Sequence, residues 1–223
     1  MKRLIISSVM ALFCIAIYAQ KDVTTFLGIP IDGFKSEMKQ KLIAKGYRPK
    51  KIRNNEFFEG EFNGVDVHLY IGTNNNKVYR IMVCDVVTRS EADIKTRFNR
   101  LVSQFENNKR YVSLDDYTLS ETEDISYEMT VHNKKYEAIF YQKVDTLALK
   151  EQVRNEILKT YSEEQLENPT EEITKEATSI AMRISMDLIF KKPVWFRICE
   201  NYGEYYITIF YDNEYNHADG EDL

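Results

Sequence analysis

"FFEGEFNGVDVHLYIG", residues 57–72, decides the fold class of this chain. Two strand-like runs flank Asn63-Gly64, and a type I′ turn needs φ > 0 at both of its central residues. That makes Asn-Gly the strongest short hairpin signal a sequence carries. Outward from this hairpin, "TNNNK" (73–77) predicts a second reversal into "VYRIMVCDVV" (78–87), so three strands form an antiparallel meander. On the N-terminal side stands "FLGIPIDGFKSEMKQKLIAKGY" (26–47). A short apolar run meets Pro30, turns at Asp32-Gly33, and opens a helix over 35–45 with Met38 and Leu42 on one face and Gly46 as its stop. Gly28 and Gly33 are too few for a phosphate-cradling loop, and Asp32 would repel a phosphate at the helix start. The Asp-Gly pair reads as turn chemistry, with Asp accepting from backbone donors and Gly supplying a positive φ.

Downstream, Ser90 caps a second helix with Glu91 and Asp93 in its first turn, where the helix dipole favours negative charge. Ile94, Phe98, Leu101, Val102 and Phe105 recur at helical spacing and need something to pack on. "ISYEMTV" (125–131) and "YEAIFYQ" (136–142) read as a hairpin turning at His132 to Lys135. A helix follows over Leu147 to Tyr161, and Thr170 caps a longer one with the stripe Ile173, Ala177, Ile180, Ile184 and Leu188. The chain closes with "VWFRICE" (194–200), a turn at Asn201-Tyr202-Gly203, and "YYITIFY" (205–211). Strands that arrive as hairpins, together with amphipathic helices, argue an α+β fold: an antiparallel sheet with helices packed on one face. No G-x-G-x-x-G or Walker pattern occurs. The expected organisation is a single domain over 20–211, with a weak sub-boundary near 113–124 and an acidic flexible tail at 212–223.

The first residues carry a targeting signal. Lys2 and Arg3 precede an apolar run from Leu4 to Ile17, and Ile17 and Ala19 occupy the positions a signal peptidase reads. The run is shorter than the ~20 residues that span a bilayer as a helix. The reading is a signal peptide over 1–19, cleaved after Ala19, and a periplasmic or secreted chain. A lipid on Cys14 fails because Phe13 stands where a small residue is required. The net charge of −5 becomes more negative without Lys2 and Arg3. That balance disfavours nucleic acid and a basic membrane patch. Once Cys14 leaves, Cys84 and Cys199 remain, each inside a strand-like run. An oxidising compartment permits a disulfide between them, while two buried thiols acting as small hydrophobes is the blander reading.

Signals for chemistry are weak. His68, His132 and His217 lie on separate elements, and no H-x-x-x-H, H-E-x-x-H or C-x-x-C occurs, so no zinc ligand set can be read. The tail offers oxygens at Asp212, Glu214, Asn216 and Asp219, but an EF-hand needs Gly and Glu where His217 and Leu223 stand. There is no G-x-S-x-G elbow. Paired carboxylates for glycoside hydrolysis carry no sequence specificity in an acid-rich chain. No metal, catalytic residue or cofactor is assigned.

The aromatics say more. With 15 tyrosines, 12 phenylalanines and one tryptophan, many fall on strands. By period-two alternation, Val65, Val67, Leu69 and Ile71 face the helices while Asp66, His68 and Tyr70 point away. Val194, Phe196 and Ile198 oppose Trp195, Arg197 and Cys199. Tyr205, Ile207, Ile209 and Tyr211 oppose Tyr206, Thr208 and Phe210. The second face thus mixes Trp, Tyr, His and Arg, a composition typical of recognition surfaces. Trp195, Arg197, Tyr206, Tyr70 and His68 are the candidate binding residues. Against this stands the ordinary role of tyrosine as a half-buried strand residue.

The pattern of Phe26 to Tyr47, with "GEFNGVDV" and "KVYRIMV", resembles one that recurs in secreted proteins of unknown function from Bacteroidota-type bacteria. The resemblance covers about the first half of the exported chain and implies no activity. The helix-then-meander order is also similar, as architecture alone, to β-lactamase-inhibitor-like modules and to outer-membrane assembly lipoproteins. The expected function is a non-catalytic exported binding module whose open sheet face meets a protein or glycan in the cell envelope. A carboxylate-dependent envelope hydrolase is the alternative, and a structural envelope component a third.

Overall fold

A computed structural model describes residues 22–218; the expected signal peptide lies outside the described residues. A two-residue hairpin, β1 (Thr25–Phe26) and β2 (Ile29–Pro30), turns through Leu27 and Gly28, both at positive φ. It leads through Asp32-Gly33 into α1 (Lys35–Ala44). Asp32 Oδ1 accepts from the Gly33 N–H at 2.7 Å and Gly33 has φ +80°, so this corner is built by turn chemistry. The meander then runs β3 (Arg48–Ile52), β4 (Asn55–Phe62), β5 (Val65–Asn74) and β6 (Lys77–Asp85), with Asn63 and Gly64 at φ +55° and +73°. Both values are those a type I′ hairpin demands.

Next come α2 (Glu91–Asn107), β7 (Tyr111–Ser113), α3 (Ile125–Val131) and β8 (Glu137–Gln142). The chain continues through α4 (Thr146–Ile157), α5 (Glu163–Glu167), α6 (Glu171–Phe190), β9 (Pro193–Asn201) and β10 (Glu204–Asp212). The fold is α+β. Eight strands form one antiparallel sheet in the order β3-β4-β5-β6-β10-β9-β8-β7. The C-terminal hairpin thus inserts into the middle and joins the two halves of the chain. Among the described residues no helix is long and apolar enough to cross a membrane.

One face of the sheet carries the core. Met38 and Leu42 of α1 pack over β5 and β6, and the α2 stripe over β9, β10 and β7. They cover Leu69, Ile81, Phe196, Ile207 and Ile209, all essentially unexposed. Asp85, also on this side, accepts from Arg97 of α2 through both carboxylate oxygens at 3.2 Å, and from Arg89 at 2.9 Å. Gly60 is a spacing glycine: a Cβ there would stand 2.4 Å from the Tyr47 ring, which closes the end of α1 onto β4.

Two expectations change, and one strand that local pattern did not mark appears. "ISYEMTV" is α3 and not a strand. The Asp124 side chain caps it by accepting from the Tyr127 N–H at 2.8 Å, and Ile125 and Met129, one turn apart, both reach the core. Its alternating pattern fitted either period, and the strands beside β8 are β7 and β9. "RPKKI" forms β3, an exposed edge strand whose Pro and Lys residues discourage further pairing. The tail is not loose where it begins. Asp212 and Asn213 are buried, and Asn213 Nδ2 donates to the Ile31 carbonyl at 2.6 Å. Asn216 Nδ2 donates to Asp32 and to the Val78 carbonyl, both at 2.8 Å. Asp219 lies outside the described residues.

Candidate functional site

The second face of the sheet takes its order from strand register. Tyr70 lies opposite Met82, Met82 opposite Phe210, Phe210 opposite Trp195, and Trp195 opposite Ile139. These five side chains form an apolar row across five strands. The neighbouring row is polar: His68, Cys84, Thr208, Arg197 and Glu137, again each opposite the next. Tyr206 and Cys199 pair in the row beyond. All seven residues singled out on this face (His68, Tyr70, Cys84, Trp195, Arg197, Cys199 and Tyr206) therefore share it. Each is half-buried, neither sealed nor fully exposed.

Large side chains lying flat account for that intermediate burial. The Trp195 and Phe210 rings stack at 3.9 Å and 13°. The Arg80 guanidinium sits 5.0 Å from the Phe210 centroid and 5.6 Å from Trp195; Arg197 sits 5.6 Å from Phe210. Such stacks contribute roughly 0.5–1.5 kcal/mol beyond the area they bury. Asp212 anchors the group. Its carboxylate accepts from Arg80 Nε at 2.6 Å and Nη2 at 2.7 Å, and from Trp195 Nε1 at 2.9 Å. The indole is thus fixed in one orientation. His68 and Tyr70 pack on Phe57, with ring centroids 4.5 and 5.8 Å away.

The two guanidinium groups differ in kind. Arg80 is neutralised by Asp212. Arg197 makes no ion pair among the described residues, and its Nε is buried with no acceptor. An unmatched buried donor costs about 1–3 kcal/mol. Burial, and after it Cys199, pushes the Tyr206 phenol up; burial, and after it Cys84, does the same for Tyr70. Both remain protonated donors at neutral pH.

Cys84 and Cys199 are free thiols. They sit on β6 and β9, the strands either side of β10, and the Thr208 hydroxyl lies between them at 3.6 Å from each sulfur. Strands two apart are separated by about 10 Å, beyond the ~7 Å Cα limit for a disulfide, so the bridge the sequence permitted is not made. Burial pushes the Cys84 thiol up, the Thr208 hydrogen bond pulls the other way, and Cys199 and Asp85 add to the rise, so it lacks the thiolate character of a nucleophile. Unfolding the protein in a thiol-alkylating reagent without reductant is expected to label both cysteines; a mass unchanged by the reagent would contradict this geometry.

At one end of the face, the last turn of α6 and residues 212–217 border a groove of about 590 Å³. Trp195, Arg80, Tyr141 and Phe190 line it, with Glu137 and Glu214. Phe190 meets Tyr141 edge-on at 5.3 Å. Asp212, Glu214 and His217 place ligand atoms within 4.8 Å of one another here. Both Asp212 oxygens are already engaged, however, and a cation would sit beside the Arg80 guanidinium, so the cluster is a poor metal centre. The other histidines are engaged locally: His217 lies edge-on to Tyr79 at 4.7 Å, and the exposed His132 Nδ1 hydrogen-bonds the Glu128 carboxylate at 2.9 Å.

Alternation along single strands found Trp195, Arg197, Tyr206, Tyr70 and His68. It missed Arg80 and Asp212. Arg80 precedes Met82 and Cys84 at period two, which was the available signal; Asp212 was hidden because a polar end reads as tail. The chain matches no family model, no curated protein and no solved structure.

Proposed function

We propose that this chain is an exported, non-catalytic binding module of the bacterial cell envelope that meets a protein or glycan partner with the second face of its sheet. The observation that carries the reading is Arg197. Its guanidinium sits 5.6 Å from the Phe210 ring centroid and is in no ion pair among the described residues, on a side chain that is only half-buried. A partner carboxylate or carbonyl meets the solvent-reachable part of this unpaired cation, while the fixed Trp195–Phe210 pair offers an apolar anchor beside it. Aromatic and arginine side chains of this kind dominate binding energetics at interfaces. The positively charged, apolar N-terminal stretch supports export.

The hydrolase alternative would use the groove, which Glu137 and Glu214 line together with Trp195. Asp212 is unsuited to acid–base work there, since Arg80 and Trp195 occupy its oxygens.

Affinity capture from periplasm and medium tests the reading. The native chain is expected to retain a partner that Trp195→Ala and Arg197→Ala each lose by tenfold or more, each loss being about 1.4 kcal/mol or above. Circular dichroism checks that both variants stay folded. A partner held equally by both folded variants removes the face from consideration, and turnover of cell-wall glycan abolished by Glu137→Gln would favour the hydrolase.

A further inference from the structure

A second cavity lies on the other side of the sheet, in the gap between α1 and α2. It holds about 680 Å³, within the ~300–1,000 Å³ typical of small-molecule sites. Four separate segments build it: the β1–β2 turn, the end of α1, the α2 flank, and the sheet beneath. Its inner surface is aromatic and aliphatic, with Phe62, Leu101, Phe105 and Tyr211. Three of these are nearly unexposed, Leu101 at 1%, Tyr211 at 4% and Phe105 at 7%, and Phe62 is half-buried.

The polar groups of this cavity include two cations and three phenols. Tyr47 spends its hydroxyl proton on the Glu61 carbonyl at 3.0 Å. The Tyr111 hydroxyl accepts from Gln142 Nε2 at 3.3 Å and lies within hydrogen-bonding reach of the Tyr211 phenol. Tyr211, deep in the cavity, is pushed well up by burial and by the neighbouring Tyr111 and Tyr47, so it stays a phenol. At the rim, Arg110 Nη2 is held by the Thr25 hydroxyl at 3.1 Å. Neither Arg110 nor Lys45, the two cations of the rim, is in an ion pair among the described residues, and Glu61 is the one carboxylate among the lining residues. In a chain of net charge −5, a cation-rich mouth over an apolar interior is complementary to an anion with an apolar body.

We propose that this cavity binds a small amphipathic carboxylate. Its acyl or aryl-alkyl body lies among Phe62, Leu101 and Phe105, and its head group meets the Arg110 guanidinium and the Tyr111 hydroxyl. Charge-assisted hydrogen bonds from a guanidinium and a phenol are the strong class for such a head. The assignment does not rest on the open-face reading, and either can fail alone.

Calorimetric titration of the purified chain with octanoate, 1-octanol and octylamine tests it. Octanoate is expected to bind more tightly than the alcohol, and the amine least. Arg110→Gln is expected to weaken octanoate by roughly tenfold or more and to leave octanol within about twofold. Gln104→Trp places a bulky ring at the cavity mouth from an exposed position of α2, giving up the bond from Asn63 Nδ2 while leaving the buried α2 stripe in place, and it is expected to abolish binding of both. No heat with octanoate at millimolar concentration overturns the proposal. So does octanoate binding that survives either substitution at native affinity, or an amine that binds as well as the acid.

Discussion

Replacing Asp85 with alanine is expected to destabilise the fold by about 3–5 kcal/mol and to lower its melting temperature by roughly 10 °C. Asp85 ends β6 on the core side and is 2% exposed at its side chain; Arg97 on α2, which it holds through both oxygens, is 9% exposed. Removing the carboxylate takes from Arg97 its one ion-pair partner among the described residues and leaves a largely buried guanidinium between helix and sheet. Arg89 suffers less, because it also donates to the Val87 carbonyl at 2.8 Å and is 19% exposed. The cost therefore belongs to the orphaned Arg97. The joint substitution Asp85→Leu with Arg97→Met, which removes both charges and keeps the volume, is expected to recover most of the loss. Chemical denaturation of the single and double variants checks this. A single variant within about 1 kcal/mol of the native chain would show that Arg97 finds water or another acceptor.

The second large effect comes from a cavity. Phe196→Ala is expected to cost about 3–5 kcal/mol. Phe196 is 0% exposed on β9 and forms the meeting point of three elements. Its ring lies 5.0 Å from Phe98 and 5.6 Å from Phe105, both on α2, and 6.1 Å from Phe140 on β8. Alanine leaves a void that three rigid rings cannot close, since none can move without leaving its own rotamer. Phe196→Leu, closer in volume, is expected to cost about 1.5 kcal/mol or less. Because Trp195 and Arg197 flank Phe196 on the opposite face, the leucine variant also separates core from surface: it is expected to lose stability while keeping its partner. Urea unfolding and capture assays read the two effects independently, and equal losses from both substitutions would show that the site relaxes around whatever fills it.

Much of this architecture was legible in local pattern. Asn63-Gly64 specified its hairpin because only a positive-φ pair fits a two-residue turn of that twist. The stripes of α2 and α6 specified helices because the apolar residues recur at the helical period. Alternation divided β5, β9 and β10 correctly between the two faces, and so placed Trp195, Arg197, Tyr206, Tyr70 and His68 together before any strand order was known. "ISYEMTV" was misread because seven residues fit both periods, and the deciding feature is a cap supplied by Asp124 with a landing site for Ile125 in the core.

What the sequence determined by itself is most of the longer elements and the side of the sheet that the residues of β5, β9 and β10 take, because turn chemistry and periodicity act over a few neighbouring residues. Only the tertiary structure decided that β10 lies between β6 and β9. That pairing joins residues more than a hundred positions apart, and no local energy encodes it. From this one long-range choice follow the Arg80–Asp212–Trp195 cluster, the separation of the two cysteines and the burial of the first tail residues. The cavity between α1 and α2 was equally illegible, since Tyr47, Arg110, Tyr111 and Tyr211 acquire a common role only when packing brings their segments to one place.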